Sequence, residues 1–274
     1  MNDLKIAVAG KGGVGKTLIA GTLARLLARD GFRVLAVDAD PAMNLAYALG
    51  IPSDLASKIV PIAQNRGLIE ERTGVKPGSA FGIFISLTPT VDDIADKYGV
   101  VGPDGVRLLV MGTVRSGGSG CMCPANSLIR ALIRHVTLMR GDAVVMDMEA
   151  GLEHLGRATV RGFDALLCVV EPGAQSIETA SRIKRLAEDI NVEEVLAVGN
   201  KVMTNQDRSF IEESLSKIGL DVICTVPFDP SIIRADALRV APIDYSPSSP
   251  AIEAIMKLER ILKNKYGQPS LKDP

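Results

Sequence analysis

Short aliphatic runs alternate along the chain with stretches whose apolar positions recur at helical spacing. The runs at 4–9 (LKIAVA), 33–37 (RVLAV), 82–87 (GIFISL), 107–111 (RLLVM), 143–146 (AVVM), 165–170 (ALLCVV), 195–199 (VLAVG) and 222–226 (VICTV) predict strands buried on both faces. Helical spacing predicts helices over 16–30, 126–139, 175–189, 206–218 and 250–265, the first stopped by Gly31. Strands of this kind alternating with helices predict an α/β fold, a mostly parallel twisted sheet with helices on both faces. The Pro-Asp-Gly turn at 103–105 predicts a short antiparallel hairpin at one edge. No repeat or low-complexity linker divides the chain, so one domain over 1–266 is expected, with a disordered tail over 267–274.

Composition narrows the class. With 274 residues, 47% hydrophobic and 23% charged, the chain can bury a large core and is not a disordered polymer. Lys plus Arg (31) against Asp plus Glu (32) leaves a net charge of −1, which argues against broad electrostatic binding to nucleic acid. No run of apolar residues is long enough to span a bilayer, and the amino terminus lacks the pattern of a secretory signal. Four cysteines are too few for a disulfide scaffold. The expectation is a cytoplasmic protein that acts neither on nucleic acid nor at a membrane, in which a close cysteine pair means metal or redox chemistry.

The sharpest motif is GKGGVGKT, residues 10–17, placed between a strand and a helix. It satisfies G-x-x-x-x-G-K-[ST] through Gly10, Gly15, Lys16 and Thr17. Backbone N–H groups from Gly12, Gly13, Val14, Gly15, Lys16 and Thr17 are expected to cradle phosphate oxygens. Lys16 would neutralise the β and γ phosphates of ATP and the Thr17 hydroxyl would ligate Mg²⁺. Lys11, a second lysine inside the loop, marks a resemblance to the deviant Walker A ATPases of the MinD/ParA/nitrogenase-iron-protein class. That resemblance implies that Lys11 reaches across a homodimer to the partner's nucleotide; otherwise it is a solvated lysine beside a polyphosphate. Leu18 stands where many relatives have a hydroxyl, so its backbone N–H remains for the nucleotide and a side-chain contact is lost.

Two acidic segments follow strands near this loop. In DADPAMN, 38–44, Asp38 is placed to support Mg²⁺ or its water shell. The resemblance gives Asp40 the attacking water, and a helix cap preceding Pro41 is the plainer reading of that residue. Asp147 ends the AVVMDMEAG strand in the manner of a Walker B carboxylate, and Gly151 can bring an N–H toward the γ phosphate as a switch between ATP and ADP. Glu149, Glu153, His154 and Arg157 accompany it, His154 reading as a surface or partner contact. His135 reads as structural. The resemblance also places Asn200 on the adenine edge, with Pro227 and Asp229 of VPFDP nearby.

In GCMCPAN, 120–126, Cys121 and Cys123 are spaced i and i+2 ahead of a helix start at Pro124. A thiolate near a helix N-terminus is readily metallated. A closed site wants four sulfurs, which a two-fold dimer supplies from two chains, tetrahedral for Zn²⁺ or square-planar for Ni²⁺. Two buried cysteines or a redox disulfide are the alternatives. Cys168 and Cys224, inside apolar strands, read as core.

KGGVGKT, DADPAMN, DMEAGLEHLGR (147–157), the cysteine pair and VPFDP, in this order, resemble the CooC-type nickel-insertion accessory ATPases of carbon monoxide dehydrogenase and their close relatives, the AcsF-type maturation factors of acetyl-CoA synthase. The resemblance runs from the first strand to about residue 265. It implies an ATP-hydrolysing metallochaperone that acts as a homodimer on apo carbon monoxide dehydrogenase or acetyl-CoA synthase. The nitrogenase iron protein would need two widely separated cysteines per chain, which disfavours an electron donor carrying a cluster. The competing reading is a MinD- or ParA-type positioning ATPase at a membrane or on DNA. Its membrane foot would be the amphipathic 251–265 segment, a stripe that reads more simply as core.

Overall fold

Strand β1 (Leu4–Gly10) lies inside a sheet of eight described strands, paired in parallel with β5 (Ala143–Met148) and with β6 (Ala165–Val170). The computed structural model describes residues 3–75, 86, 88–112, 123–139, 141–150, 162–190, 192 and 194–267. The remaining strands are β2 (Val34–Ala39), β3 (Val100–Val101), β4 (Arg107–Val110), β7 (Val195–Val202) and β8 (Asp221–Pro227), and the order across the sheet is β3-β4-β2-β5-β1-β6-β7-β8. Among the described strands only the β3–β4 pair is antiparallel, joined through the 103–105 turn as its Pro-Asp-Gly sequence predicts. The expected strand at 82–87 lies outside the described residues except for Ser86, which is not in a strand.

The helices are α1 (Lys16–Arg29), α2 (Leu45–Ala48), α3 (Ser53–Ala56), α4 (Arg66–Thr73), α5 (Ile94–Tyr98), α6 (Cys123–Leu138), α7 (Ala174–Asp189), α8 (Asn205–Ser216), α9 (Pro230–Ala237), α10 (Pro242–Tyr245) and α11 (Pro250–Tyr266). Alternate strand residues feed two apolar layers. Ala7, Val144, Met146 and Leu166 pack with Leu128, Leu132, Ile183, Ile211 and Leu215 of α6, α7 and α8. On the opposite face Ile6, Val8, Val145 and Leu167 pack with Ile19, Leu23, Ile255 and Leu258 of α1 and α11. Burial on both faces is what the unbroken aliphatic strands require.

Helix α11 starts where Ser249 caps the Ile252 N–H and Pro250 takes the first turn. Its apolar stripe, Ile252, Ile255, Leu258 and Leu262, is closed to solvent against the sheet. The stripe is therefore core and is not available as a membrane foot. Among the described residues no helix is long and apolar enough to cross a membrane.

Candidate functional site

The phosphate loop leaves β1 at Gly10 and enters α1 at Lys16, between two central strands. A side chain at Gly10 would bring its Cβ to 2.5 Å from the Val169 carbonyl oxygen of β6, so the loop can leave the sheet here only without one. Gly15 caps α1 in the left-handed region, with φ 98° and ψ 22°, and supplies no capping side chain. The first N–H groups of α1 thus remain directed at the loop's concavity, where the helix dipole favours an anion.

Lys16 is buried and its Nζ lies 3.4 Å from Asp40 Oδ2 and 3.5 Å from the Lys11 carbonyl. Thr17 Oγ1 donates to Asp147 Oδ2 at 2.6 Å, joining loop and β5 directly. The other carboxylate oxygen of Asp147 is buried and has no hydrogen-bond partner among the described residues. Burial pushes Asp147 up to about 6 and Asp38 up to about 7. An unsatisfied, buried carboxylate oxygen next to a loop hydroxyl is a hard oxygen donor set, and it fits Mg²⁺.

Asp38 belongs to β2 itself. Its Oδ1 accepts from the Asp40 N–H at 3.2 Å and its Oδ2 from the Leu45 N–H at 3.0 Å, at the start of α2. The helix-cap reading attached to Asp40 and Pro41 is corrected accordingly: Asp38 receives the first N–H of the next helix, which begins at Leu45. Asp40 closes a local turn, accepting the Ala42 N–H at 2.8 Å. Met43, in the same segment, has φ 52°, a conformation costly for a residue with a side chain.

Asn200, expected on the adenine edge, donates its amide to the Val14 carbonyl at 2.7 Å and braces the loop from below. Lys201 donates to the Gly13 carbonyl at 2.6 Å and pairs with Glu171 Oε2 at 2.8 Å. Lys11 Nζ stands 3.9 Å from the other oxygen, Glu171 Oε1. Glu171 follows β6, so each strand flanking β1 delivers an acid to the loop: Asp147 from β5 and Glu171 from β6. Sequence reasoning missed Glu171, although a carboxylate one residue past an aliphatic strand was the available signal.

A cavity of about 640 Å³ adjoins Thr17 and Leu18 and is bounded by Tyr47, Ile232, Asp236 and Arg239. The Arg239 guanidinium lies 5.8 Å from the centre of the Tyr47 ring. None of Asn200, Pro227 and Asp229 lines this cavity. Pro227 borders a different groove at the sheet edge, and Asp229 caps α9 through the Ser231 N–H at 2.8 Å. Of the three only Asn200 touches the phosphate loop, while the space next to Leu18 is built by α2 and α9.

Cys123 is exposed at the first residue of α6. Cys121, Gly151, Glu153, His154 and Arg157 lie outside the described residues. Among the described residues no group of three or more His, Cys, Asp or Glu side chains is placed to hold a metal ion. Cys168 is core as expected, its thiol pushed up to about 12 by burial. Cys224 differs from expectation: it is half-buried and borders the edge groove.

The profile of the CobQ/CobB/MinD/ParA nucleotide binding domain matches residues 5–243. The carbon monoxide dehydrogenase accessory protein CooC of Rhodospirillum rubrum is 43% identical over 245 residues, 89% of this chain and 91% of that protein. An uncharacterized ATP-binding protein of Methanocaldococcus jannaschii is 44% identical over 264 residues, 95% of this chain and 99% of its own length. Among solved structures, the MinC:MinD cell division protein complex of Aquifex aeolicus superposes with a TM-score of 0.70 at 22% identity, covering 98% of each chain, which bears on the fold alone. The chain belongs to the CobQ/CobB/MinD/ParA nucleotide-binding family, and within it to the CooC-type deviant P-loop ATPases.

Proposed function

We propose that the chain is an accessory ATPase that matures carbon monoxide dehydrogenase or acetyl-CoA synthase, carrying nickel as cargo on cysteines shared by two copies. The observation that carries this reading is Cys123, exposed at the first turn of α6 and two residues after Cys121, in a chain 43% identical to a CooC protein. Cys123 is disulfide-bonded in this structure, so metal loading requires its reduction first; the helix N-terminus then favours the thiolate form that nickel or zinc requires. One chain offers two such sulfurs, and two chains related by a two-fold axis offer four.

Hydrolysis follows from the loop. Lys16 and the N–H groups at the start of α1 bind the β and γ phosphates, drawing Lys16 away from Asp40. Asp40, relieved of that ion pair, orients the attacking water. Thr17, Asp147 and Asp38 would hold Mg²⁺, which when bound supplies charge neutralisation for the transferring phosphoryl group. Lys11, leaving Glu171, contacts the nucleotide of the second copy and makes closure depend on ATP. Closure changes the spacing of the shared cysteines and releases the cargo to the apo-enzyme; Gly151 reports the γ phosphate to that switch. The work is cytoplasmic and needs neither membrane nor nucleic acid.

Calorimetric titration of Ni²⁺ into the protein and into a Cys121→Ser/Cys123→Ser double variant tests the cargo site. Tight binding of one ion per two chains, lost in the variant, is expected; equal affinity and stoichiometry in both would refute it.

A further inference from the structure

Among the described residues strand β8 is the last of the sheet and has a neighbour on one side only. An unpaired strand edge offers a row of backbone donors and acceptors to any extended segment that reaches it. A groove of about 430 Å³ opens beside it, bordered by Ile223, Cys224 and Thr225 of β8, Arg208 of α8, and Glu253 and Lys257 of α11. No residue of the phosphate loop lines this groove. Arg208 and Lys257 are exposed and neither makes an ion pair among the described residues, although Glu253 lies one helical turn from Lys257. Both cations act electrostatically on the Cys224 thiol and oppose the upward push of burial, so both face the same space.

We propose that this groove accepts an extended acidic segment of a partner protein, added to the sheet as a strand beside β8. The unpaired edge supplies main-chain hydrogen bonds, Ile223 and the stem of Lys257 give apolar contact, and Arg208 with Lys257 select carboxylates. A second copy of this chain is the poorer occupant, because pairing β8 with β8 about a two-fold axis would bring like cations together. The proposal is independent of the nickel reading.

The test uses the full chain and a fluorescein-labelled peptide of alternating glutamate and valine, with a lysine–valine peptide as control. Anisotropy is expected to show saturable binding of the acidic peptide alone. Charge reversal in Arg208→Glu/Lys257→Glu should weaken binding by about tenfold or more, with ATP hydrolysis unchanged as evidence that the variant is folded. Methylating alternate amides of the peptide should abolish binding, since strand addition needs those N–H groups. Iodoacetamide should alkylate Cys224 more slowly when the acidic peptide is bound. Equal binding of both peptides, no binding of either, indifference to charge reversal or to methylation, or an unprotected Cys224 would each overturn the proposal, as would a nucleotide-independent dimer dissociated by the Arg208→Glu/Lys257→Glu variant.

Discussion

Asp38 and Asp147 are register partners across β2 and β5, two carboxylates side by side and both closed to solvent. Each is raised mainly by burial, and the field of Asp147 adds to the rise at Asp38. The pair stores an electrostatic cost that a bound divalent cation would relieve.

Asp147→Asn tests that cost. The folded carboxyl takes up a proton more readily than the unfolded one, so this group's contribution to stability is greatest at low pH. It is lost as pH climbs from the ordinary 3.8 toward about 6. Without cation, the Asn variant should melt at a higher temperature than the parent at pH 8, and the difference should shrink toward pH 4. In the same variant, Mg²⁺-supported hydrolysis should fall by about 10–100-fold. Scanning calorimetry across pH and a phosphate-release assay read the two effects; a melting difference that does not depend on pH contradicts the electrostatic account.

The 3.4 Å contact between Lys16 and Asp40 predicts a divided response. Lys16→Ala should lose nucleotide affinity and hydrolysis together, by about 100-fold or more in rate. Asp40→Asn should keep nucleotide binding and lose turnover. Equilibrium binding of a fluorescent ATP analogue alongside single-turnover rates separates them, and tight binding by Lys16→Ala would be inconsistent with the site described.

Glu171 holds Lys201 at 2.8 Å and Lys11 at 3.9 Å. Glu171→Gln should release Lys11 and raise the fraction of dimer formed with a non-hydrolysable ATP analogue, measured by light scattering. A dimer fraction equal to or below that of the parent would show that Glu171 does not restrain Lys11.

Two structural substitutions calibrate the fold. Gly10→Ala forces a Cβ against the Val169 carbonyl and should cost about 1–3 kcal/mol by denaturant unfolding. Leu258→Ala in α11 opens a cavity in the core and should cost about 2–5 kcal/mol. An exposed membrane foot would instead tolerate that change, with the loss appearing only in lipid co-sedimentation.

The alternation of aliphatic runs with helical spacing made the sheet, its helices and the phosphate loop legible, because those patterns are local. Asp147 was legible for the same reason: an acid ends a buried strand that pairs with β1. The brace formed by Asn200 on Val14 and Lys201 on Gly13 was not, since it joins positions 186 and 188 residues apart and depends on β7 lying two strands from β1. Strand order is set by packing across the whole sheet, so nothing local in VICTV announced that β8 is an edge or that Cys224 borders a groove. Likewise Tyr47 and Arg239 meet only because α2 and the turn after α9 converge beside Leu18.

The most direct test of the proposed function measures particle mass and nickel content on one sample, first with ADP and then with a non-hydrolysable ATP analogue. With the analogue, two chains per particle and one nickel per particle are predicted, and Cys121→Ser/Cys123→Ser should keep the paired mass while losing the metal. A single-chain mass under every nucleotide and metal condition would contradict the shared site.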